Sequence, residues 1–572
     1  MEGRRFAIGR QAGLLAWVFA AAFAFGCKKN ASANVAPTAS SSASPVASSA
    51  SPSSALASAS AVPTGPVLAS NEMQTWIHEG PRRGSAKLGY LRAGAVIARA
   101  EQPAGKEGCP GGWYAVQPSG FVCNGDGATL DVNDAVVRVT SHRRPDLLKP
   151  MPYRYGFIRS VAPQYLKVPT DAEQHQYEFK LDNHLKYYAK HEAEWSVVPP
   201  GANDVTEEQQ GAPITVAEKP PSDDEATADD EPQDAAESAS SLSLLELFGA
   251  DSPSEPVPWW LQGQERAVPQ LSTFKAPKYA VIAGRVKRHT GLAFIDAFPT
   301  GPEAANRAMA VTTDLRLVPV SKLKPNVGSQ WHGVELRDDF TLPIAFAFNH
   351  AKDPKELRKS VKCWRIDGSD VKGDGALVFR QAVALTGKDV TVSGVRYFEM
   401  KDGRFLKKND ITIARKPDEW PSSFAKGSQK WVDLSVLKQT LVLYEGDKPV
   451  FATLVSTGQD GIGDPKETKS TVRGTFRIRE KHVTTTMDAN DVDNKFELRD
   501  VPWVQYFESG YAFHAAYWHD EYGTPRSHGC VNMSPIDARR VFFWTDPQLP
   551  PGWHAVFAEG DSSKGTIVYS HI

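Results

Sequence analysis

The sequence predicts a mainly β protein in which small β-barrel modules and disordered linkers precede a larger β-rich domain at the carboxyl end. At 572 residues the chain is too long for one ordinary domain. Short runs that alternate apolar and polar residues, bounded by glycine, recur along it as strands require. Two other stretches are too poor in large apolar residues to bury a core. With 65 basic and 67 acidic residues, the total charge gives no indication of a nucleic-acid partner.

The first 27 residues have the pattern of an export signal. Arg4, Arg5 and Arg10 precede an apolar run over 11–25, which is shorter than the roughly 20 residues of a membrane-spanning helix. The glycine and cysteine that follow resemble a bacterial lipobox, in which the cysteine, here Cys27, carries the lipid. This resemblance implies a periplasmic lipoprotein held at the inner or the outer membrane. An ordinary secretory peptide cut near this position is the alternative.

Two linkers are predicted from composition. Residues 28–66 are mostly Ala, Ser and Pro, and a random coil of this length spans roughly 30–36 Å. That segment would tether the protein to a membrane, or would be a plain spacer behind a signal peptide. Residues 203–258 are acidic, with Lys219 as their single lysine, and like-charge repulsion there favours disorder.

Residues 67–200 and 259–428 are each predicted to contain small β modules. Runs such as 112–116, 120–123 and 390–398 combine a glycine with short aromatic and β-branched strands. These runs resemble bacterial SH3-like modules, which often bind wall peptides. A structural or spacing role is the preferred interpretation, and the ligand of the modules stays open.

The five cysteines divide into different roles. Cys109 and Cys123 flank a short loop and are predicted to form a disulfide, since an exported protein meets an oxidising compartment. Closing such a loop stabilises a protein by about 3 kcal/mol in the chain-entropy treatment. Cys363 is predicted to be buried and inert. Cys530 must stay reduced if it is a nucleophile.

Residues 429–560 are predicted to form the carboxyl-terminal domain. Alternation predicts a strand over 431–436, a hairpin over 440–455 and a strand over 503–516 that is broken at a Ser-Gly pair. Ser534 and the proline after it have the signature of a helix start. The positive end of that helix is expected to lower the pKa of a thiol just before it.

The most informative motif is His514 followed, after twelve residues, by Ser-His-Gly-Cys-Val-Asn over 527–532. A thiol attacks a carbonyl as the thiolate, and a neighbouring imidazole can take its proton. Gly529 leaves room for a substrate to approach Cys530. On a strand, His528 and Cys530 would point to the same side, so local geometry allows His528 as the base as well as His514.

Together with residues upstream, this motif resembles the L,D-transpeptidase catalytic domain (the YkuD-like family) over about 430–558. The family's opening strand, its Val-Ser-Thr-Gly-like turn and its Thr-Pro-x-Gly-x-Phe-x-Ile segment correspond to 431–436, 455–458 and 471–478. Val472 stands where the family usually has proline. The resemblance implies a β-sandwich-type catalytic domain that cross-links bacterial peptidoglycan through a cysteine acyl-enzyme.

The resemblance also implies roles for the motif residues. Cys530 would be the nucleophile and His514 the general base and acid. The main-chain carbonyl of Ala515 would orient the His514 ring. His528 and the Gly529 amide would surround the developing oxyanion, together with the amide of the nucleophile itself.

Further residues at the motif would support the site or contact the substrate. Ser527 and Asn532 would be supporting residues. Tyr511, Trp518 and Arg526 are candidates for substrate binding. The aromatic residues could instead belong to the core, and arginines of this kind often form surface ion pairs.

The reaction implied is the 3–3 cross-linking of peptidoglycan stem peptides through a thioester, with release of D-Ala and without a cofactor. Water as the acceptor would make an L,D-carboxypeptidase, and a protein amine would become anchored to the wall.

The rival of a different class is a non-catalytic protein that binds peptidoglycan. A papain-like peptidase is disfavoured because its cysteine precedes its histidine. A zinc site is disfavoured because the spacing of His514, His519, His528 and Cys530 lacks the usual short-spacer pairs.

Overall fold

The computed structural model describes residues 65–195, 257–258, 260–261, 280–488, 497–558 and 564–572. The predicted signal segment with Cys27, the tether and nearly all of the acidic linker lie outside these residues. None of the helices in the described part of the chain has the length and apolar character needed to cross a membrane. Strands far outnumber helices there, so the predicted mainly β class is confirmed.

The amino-terminal module, residues 65–141, contains seven short strands and one helix. They are β1 (Val67–Ser70), β2 (Thr75–His78), β3 (Lys87–Leu91), β4 (Val96–Ala98), β5 (Trp113–Ala115), β6 (Phe121–Cys123), β7 (Ala128–Thr129) and α1 (Ala135–Thr140). Leu68, Ile77 and Val122 are fully buried in its core. A disulfide joins Cys109 to Cys123 beside this core.

The central module, residues 154–195 with 280–326, is assembled from both sides of the acidic linker. Its elements are β8 (Arg154–Ile158), β9 (Ala162–Tyr165), α2 (Asp171–Tyr177), α3 (Leu181–Trp195), β10 (Ile282–Val286), β11 (Gly291–Pro299), β12 (Ala308–Thr312), β13 (Leu317–Pro319) and β14 (Leu323–Asn326), with short 3₁₀ turns at Pro302–Ala304 and Val320–Lys322. β8 pairs with β11 and β14, and β9 pairs with β10 and β13. The predicted module boundaries at 67–200 and 259–428 stay predictions. In the structure, strands from before the acidic linker pair with strands that follow it.

The third module, residues 344–414, is a seven-stranded antiparallel sheet. Its elements are β16 (Ile344–Ala347), α4 (Pro354–Leu357), β17 (Val361–Asp367), β18 (Asp370–Leu377), β19 (Ala382–Val392), β20 (Val395–Met400), β21 (Phe405–Lys407), a 3₁₀ turn at Lys408–Asp410 and β22 (Ile411–Ala414). The strand order is β18-β17-β21-β20-β19-β16-β22. Cys363 is a buried free thiol in this core, as predicted. The SH3-like character of the upstream modules stays a prediction.

The strands of the carboxyl-terminal domain are β15 (Val334–Glu335), β23 (Lys430–Ser435), β24 (Thr440–Glu445), β25 (Lys448–Leu454), β26 (Gly474–Arg477), β27 (Glu480–Asp488), β28 (Glu497–Glu508), β29 (Tyr511–Ala515), β30 (Val531–Met533), β31 (Ala555–Phe557) and β32 (Ile567–His571). Six of them form a sheet of order β15-β25-β24-β23-β32-β26, while the remaining strands join a larger sheet. The predicted first strand and hairpin are confirmed as β23 to β25, and the predicted break in the later strand separates β28 from β29.

The helix of this domain, α5 (Pro535–Trp544), begins where the sequence predicts. Ser534 is the N-cap, and its Oγ accepts the main-chain N–H of Asp537 at 3.1 Å. Val541 and Phe542 on its inner face are fully buried against the sheet. The helix therefore packs into the same core as the strands that carry the motif.

The carboxyl-terminal domain is hydrogen-bonded to the amino-terminal and central modules through strand pairing. β31 pairs with β3 of the amino-terminal module, and β28 meets β11 of the central module. A buried polar network joins the same three parts, because the Asp500 side chain accepts hydrogen bonds from Arg92, Thr313 and Thr484. The Tyr155 hydroxyl donates to the carbonyl oxygen of Asp500 at 2.7 Å. One aspartate thus contacts three segments that are distant in sequence.

Candidate active site

Two adjacent parallel strands bring His514 and Cys530 together. β29 and β30 pair with His514 opposite Asn532. Cys530 directly precedes β30, and its sulfur lies 3.4 Å from the carbonyl oxygen of Gly510, just before β29. Because Cys530 is two residues before Asn532, the thiol lies at the start of the strand that pairs with the one carrying His514.

The His514 ring is buried and has a defined tautomer. Its Nδ1 lies 3.3 Å from the carbonyl oxygen of Ala515, which can only accept, so Nδ1 carries the proton and Nε2 the lone pair. Trp518 stacks on the ring with centroids 5.6 Å apart. Burial lowers the pKa of His514 to about 4, against the opposing effect of the Ala515 carbonyl. At neutral pH the ring is uncharged and can accept a proton at Nε2.

The Cys530 thiol is protonated at neutral pH. Burial raises its pKa to about 11, although a hydrogen bond with the backbone at Ala512 acts in the opposite direction. Loss of water around the sulfur is the largest effect on this pKa, and the lowering contribution expected from the following helix stays a prediction. The resting pair is therefore a neutral thiol and a neutral imidazole, and the thiolate forms only as a base removes the proton.

We expect alkylation of Cys530 by iodoacetamide to rise with pH and to reach no plateau below about pH 9, because a thiol with a pKa of about 11 is ionised to roughly one part in a thousand at pH 8. The alkylated fraction is measured by intact-mass spectrometry of timed samples across that range. The Cys363→Ala variant is the background, since Cys363 and Cys530 are the two free cysteines in the described residues. A plateau near pH 7 would contradict the raised pKa.

The turn before the nucleophile is held by side-chain hydrogen bonds. Ser527 Oγ accepts the N–H of Gly529 at 3.1 Å and donates to the carbonyl oxygen of Cys530. Thr471 Oγ1 donates to the Gly529 carbonyl oxygen at 2.8 Å. Gly529 has a φ of +127°, and a Cβ there would lie 2.8 Å from Cε1 of Tyr511, so glycine is required. The oxyanion role implied for the Gly529 amide requires its hydrogen bond to Ser527 to be shared or broken.

The three residues predicted to contact substrate differ in their surroundings. Tyr511 lies beside Gly529 and Cys530, and its hydroxyl donates to the carbonyl oxygen of Pro465 at 3.2 Å. Trp518 covers His514. Arg526 forms an ion pair with Glu521, the kind of surface pair that the sequence left open. The two aromatic residues are therefore at the site, and the arginine already has an acidic partner.

His528 has an exposed side chain, and residues 527–530 form no strand. The alternation that would put His528 and Cys530 on one side therefore does not apply here. In the part of the chain that the structure describes, no group of three or more His, Cys, Asp or Glu residues is arranged to hold a metal ion. His519, one of the ligands considered for zinc, instead lies 2.9 Å from the amide of Asn532.

Sequence reasoning missed the anchoring of the loop between His514 and Cys530. Asp520 in that loop accepts hydrogen bonds from Arg380 at 2.8 Å, Arg358 at 2.9 Å and Ser329 at 2.6 Å. Burial alone would raise the pKa of Asp520, but Arg380 and the other partners hold it below its usual value. No local pattern could indicate these partners, since Arg380 is 140 residues away. The third module therefore holds the loop of the candidate site.

A buried imidazole on β29 and a thiol directly before the adjacent β30 define a candidate site for acyl transfer through cysteine. Residues 429–569 match the family model of the L,D-transpeptidase catalytic domain (YkuD). The carboxyl-terminal domain belongs to this family, and the match covers about a quarter of the chain, with the upstream modules outside it. No curated protein matches the chain.

Several solved L,D-transpeptidase structures are similar to part of this chain. The catalytic domain of the E. faecium enzyme, solved by NMR, is 20% identical over 25% of this chain and 98% of that chain, with a TM-score of 0.20. The crystal structure of a cysteine-to-serine mutant of the Enterococcus faecium enzyme is 18% identical over 25% of this chain and 50% of that chain, with a TM-score of 0.19, so this chain spans half of that protein. An L,D-transpeptidase from Mycobacterium smegmatis is 17% identical over 40% of this chain and 91% of that chain, with a TM-score of 0.19. The assignment of the domain rests on the family match alone.

Proposed function

We propose that the carboxyl-terminal domain is a peptidoglycan L,D-transpeptidase that uses Cys530 as its nucleophile and forms 3–3 cross-links between stem peptides. One observation carries the proposal: the parallel pairing of β29 with β30 places an imidazole with an accepting Nε2 on one strand and the thiol directly before the neighbouring strand. The family match supports the substrate class. The chemistry needs no cofactor.

Acylation begins with two neutral groups. His514 Nε2 takes the thiol proton as the sulfur of Cys530 attacks the carbonyl carbon of the third residue in a tetrapeptide stem. A tetrahedral oxyanion results, for which the Gly529 and Cys530 amides and His528 are the proposed donors. The imidazolium then gives its proton to the departing amine, the C–N bond breaks, and D-Ala leaves. A thioester on Cys530 and a neutral His514 remain.

Transfer to the acceptor uses the same groups in the reverse order. The side-chain amine of a neighbouring stem attacks the thioester carbonyl and gives its proton to His514. The C–S bond breaks, and the imidazolium returns the proton to the sulfur of Cys530. Water in place of the amine would give an L,D-carboxypeptidase, and a protein amine would be anchored to the wall.

The cellular setting is also a proposal. The export pattern and the lipobox-like cysteine support a periplasmic lipoprotein attached through Cys27 to the inner or outer membrane, from which the tether 28–66 could reach the wall. The upstream modules would space or orient the domain. The rival function is a wall-binding protein without catalysis, in which the same fold is a binding surface.

Intact-mass spectrometry of the purified full-length protein tests the function. Wild type is expected to gain one carbapenem adduct and, with disaccharide-tetrapeptide, to release D-Ala and form cross-linked dimer. Cys530→Ala should do neither, because the nucleophile is missing. Cys363→Ala is the matched control and should behave as wild type, since that thiol is buried in another module. Folded wild type with a free Cys530 thiol but without adduct or product would favour the wall-binding function.

A further inference from the structure

His519 lies in the loop between His514 and Cys530, and both of its ring nitrogens have neighbours within hydrogen-bonding distance. The main-chain N–H of Glu521 donates to Nδ1 at 3.2 Å, and Nε2 lies 2.9 Å from the side-chain amide of Asn532. The residue is 9% exposed, and burial lowers the pKa of its ring to about 3, so the ring is neutral. Because a backbone N–H can only donate, Nδ1 accepts and the ring proton is on Nε2.

This tautomer determines which end of the Asn532 amide faces the ring. With Nδ2 toward Nε2–H, two donors would face each other, and the buried Oδ1 would have no hydrogen-bonding partner among the described residues. With Oδ1 toward His519, that oxygen accepts the Nε2–H, and the NH₂ group takes the buried position that has no hydrogen-bonding partner among the described residues. The hydrogen bonding therefore favours an Asn532 amide whose NH₂ group lies on the side away from His519.

Asn532 is also the β30 residue that stands opposite His514. Its main chain is held on the other side by Ser456, with N–H to O distances of 2.8 Å and 2.9 Å. Paired residues of adjacent parallel strands lie side by side on one face of a sheet. Asn532 is 3% exposed, so its amide is a buried polar group next to the candidate base.

The loop holds His519 in this position without a substrate. The Tyr522 hydroxyl donates to the carbonyl oxygens of Ala516 at 2.8 Å and His519 at 3.1 Å. The neighbouring Asp520 is bound by Arg380 of the third module at 2.8 Å. These contacts fix the backbone on both sides of the ring, so the ring is preorganised.

We propose that His519 is a positioning residue for acyl transfer at Cys530, which holds the Asn532 amide so that its NH₂ group is a fixed donor beside His514. The donor would act on the substrate oxygen that becomes negative during attack and not on the His514 ring, which becomes positive, and a fixed donor in a buried site needs no reorganisation to do so. The role rests on the proposed function, because it presupposes that Cys530 is acylated.

The tautomer is tested independently of activity. In the full-length protein labelled with ¹⁵N-histidine, nitrogen shifts and couplings should identify His519 as the neutral Nε2–H tautomer and His514 as the Nδ1–H tautomer. His519→Phe assigns the signal by its loss. A protonated Nδ1 on His519 would overturn the proposal whether or not the protein is a transpeptidase.

The positioning role is tested by carbapenem acylation kinetics. His519→Phe keeps a ring but removes both hydrogen bonds, and the first-order acylation rate at saturating carbapenem should fall at least about tenfold with little change in the half-saturating concentration. His519→Gln retains an N–H donor and should restore most of the rate. Thermal unfolding of each variant identifies any that fails to fold.

A double-mutant cycle separates action through Asn532 from a general structural effect. Asn532→Asp keeps the acceptor for His519 but loses the NH₂ group. Adding His519→Phe to this variant should therefore lower the acylation rate little further. Independent losses that add in the double variant, or a His519→Phe protein with the wild-type rate, would overturn the positioning role. Wild-type protein that is not acylated at all would instead refute the proposed function. The tautomer of His519 measured by NMR would not be affected by that outcome.

Discussion

Replacing His514 with glutamine is expected to slow acylation of Cys530 by about 10²- to 10⁴-fold, the usual contribution of a general base. The reason is the state of the resting pair. With a thiol pKa of about 11 and a histidine pKa of about 4, almost no thiolate exists before substrate binds, so the proton must be removed during attack. The rate of adduct formation with a carbapenem, followed by intact mass, gives the effect.

The pH dependence of that rate gives a second readout. The lowered pKa keeps His514 neutral as pH falls, so wild-type acylation should stay constant until the pH approaches about 4 and then decrease. In His514→Gln only preformed thiolate reacts, and the rate should climb with pH toward about 11. His528→Gln is the comparison variant, because His528 is the other candidate base and a proposed oxyanion donor. A larger loss in His528→Gln than in His514→Gln would assign the base to His528.

Replacing Asp500 with alanine is expected to lower the free energy of unfolding by about 3–5 kcal/mol, the cost of leaving a buried charge without its partner. The Arg92 guanidinium would lose its carboxylate, while Thr313 and Thr484 would lose their acceptor. Burial alone would raise the pKa of Asp500, yet Arg92 and the threonines hold it below its usual value. Stability from this carboxylate is present at neutral pH and is lost as the pH falls through that lowered pKa.

Differential scanning calorimetry and hydrogen exchange of β28 measure the loss at Asp500. Asp126→Ala is the control, because Asp126 and its partner Arg83 are both about half exposed and such pairs contribute roughly 0–1 kcal/mol. The double variant Arg92→Met with Asp500→Leu should recover part of the stability, since removing both charges leaves none unpaired. Equal unfolding temperatures for Asp500→Ala and Asp126→Ala would contradict a stabilising network.

Local patterns were sufficient for several elements of the carboxyl-terminal domain. The alternation of apolar residues predicted β23 to β25, and the Ser-Pro pair at Ser534 predicted the start of α5, because strands and helix caps depend on neighbours a few residues apart. The family resemblance of the motif implied that His514 and Cys530 act together. Parallel pairing of β29 and β30 is how the fold brings them together.

The surroundings of that site were decided by tertiary structure. Arg92 is 408 residues from Asp500, and Arg380 is 140 residues from Asp520, so no local pattern could pair them. The thiol pKa depends on how much water the packed chain leaves around the sulfur of Cys530, and this burial raises it. The sequence by itself determined the chemical groups and the strands that carry them. Only the folded chain determined their charge states and the upstream contacts that hold them, because both depend on burial between segments far apart in sequence.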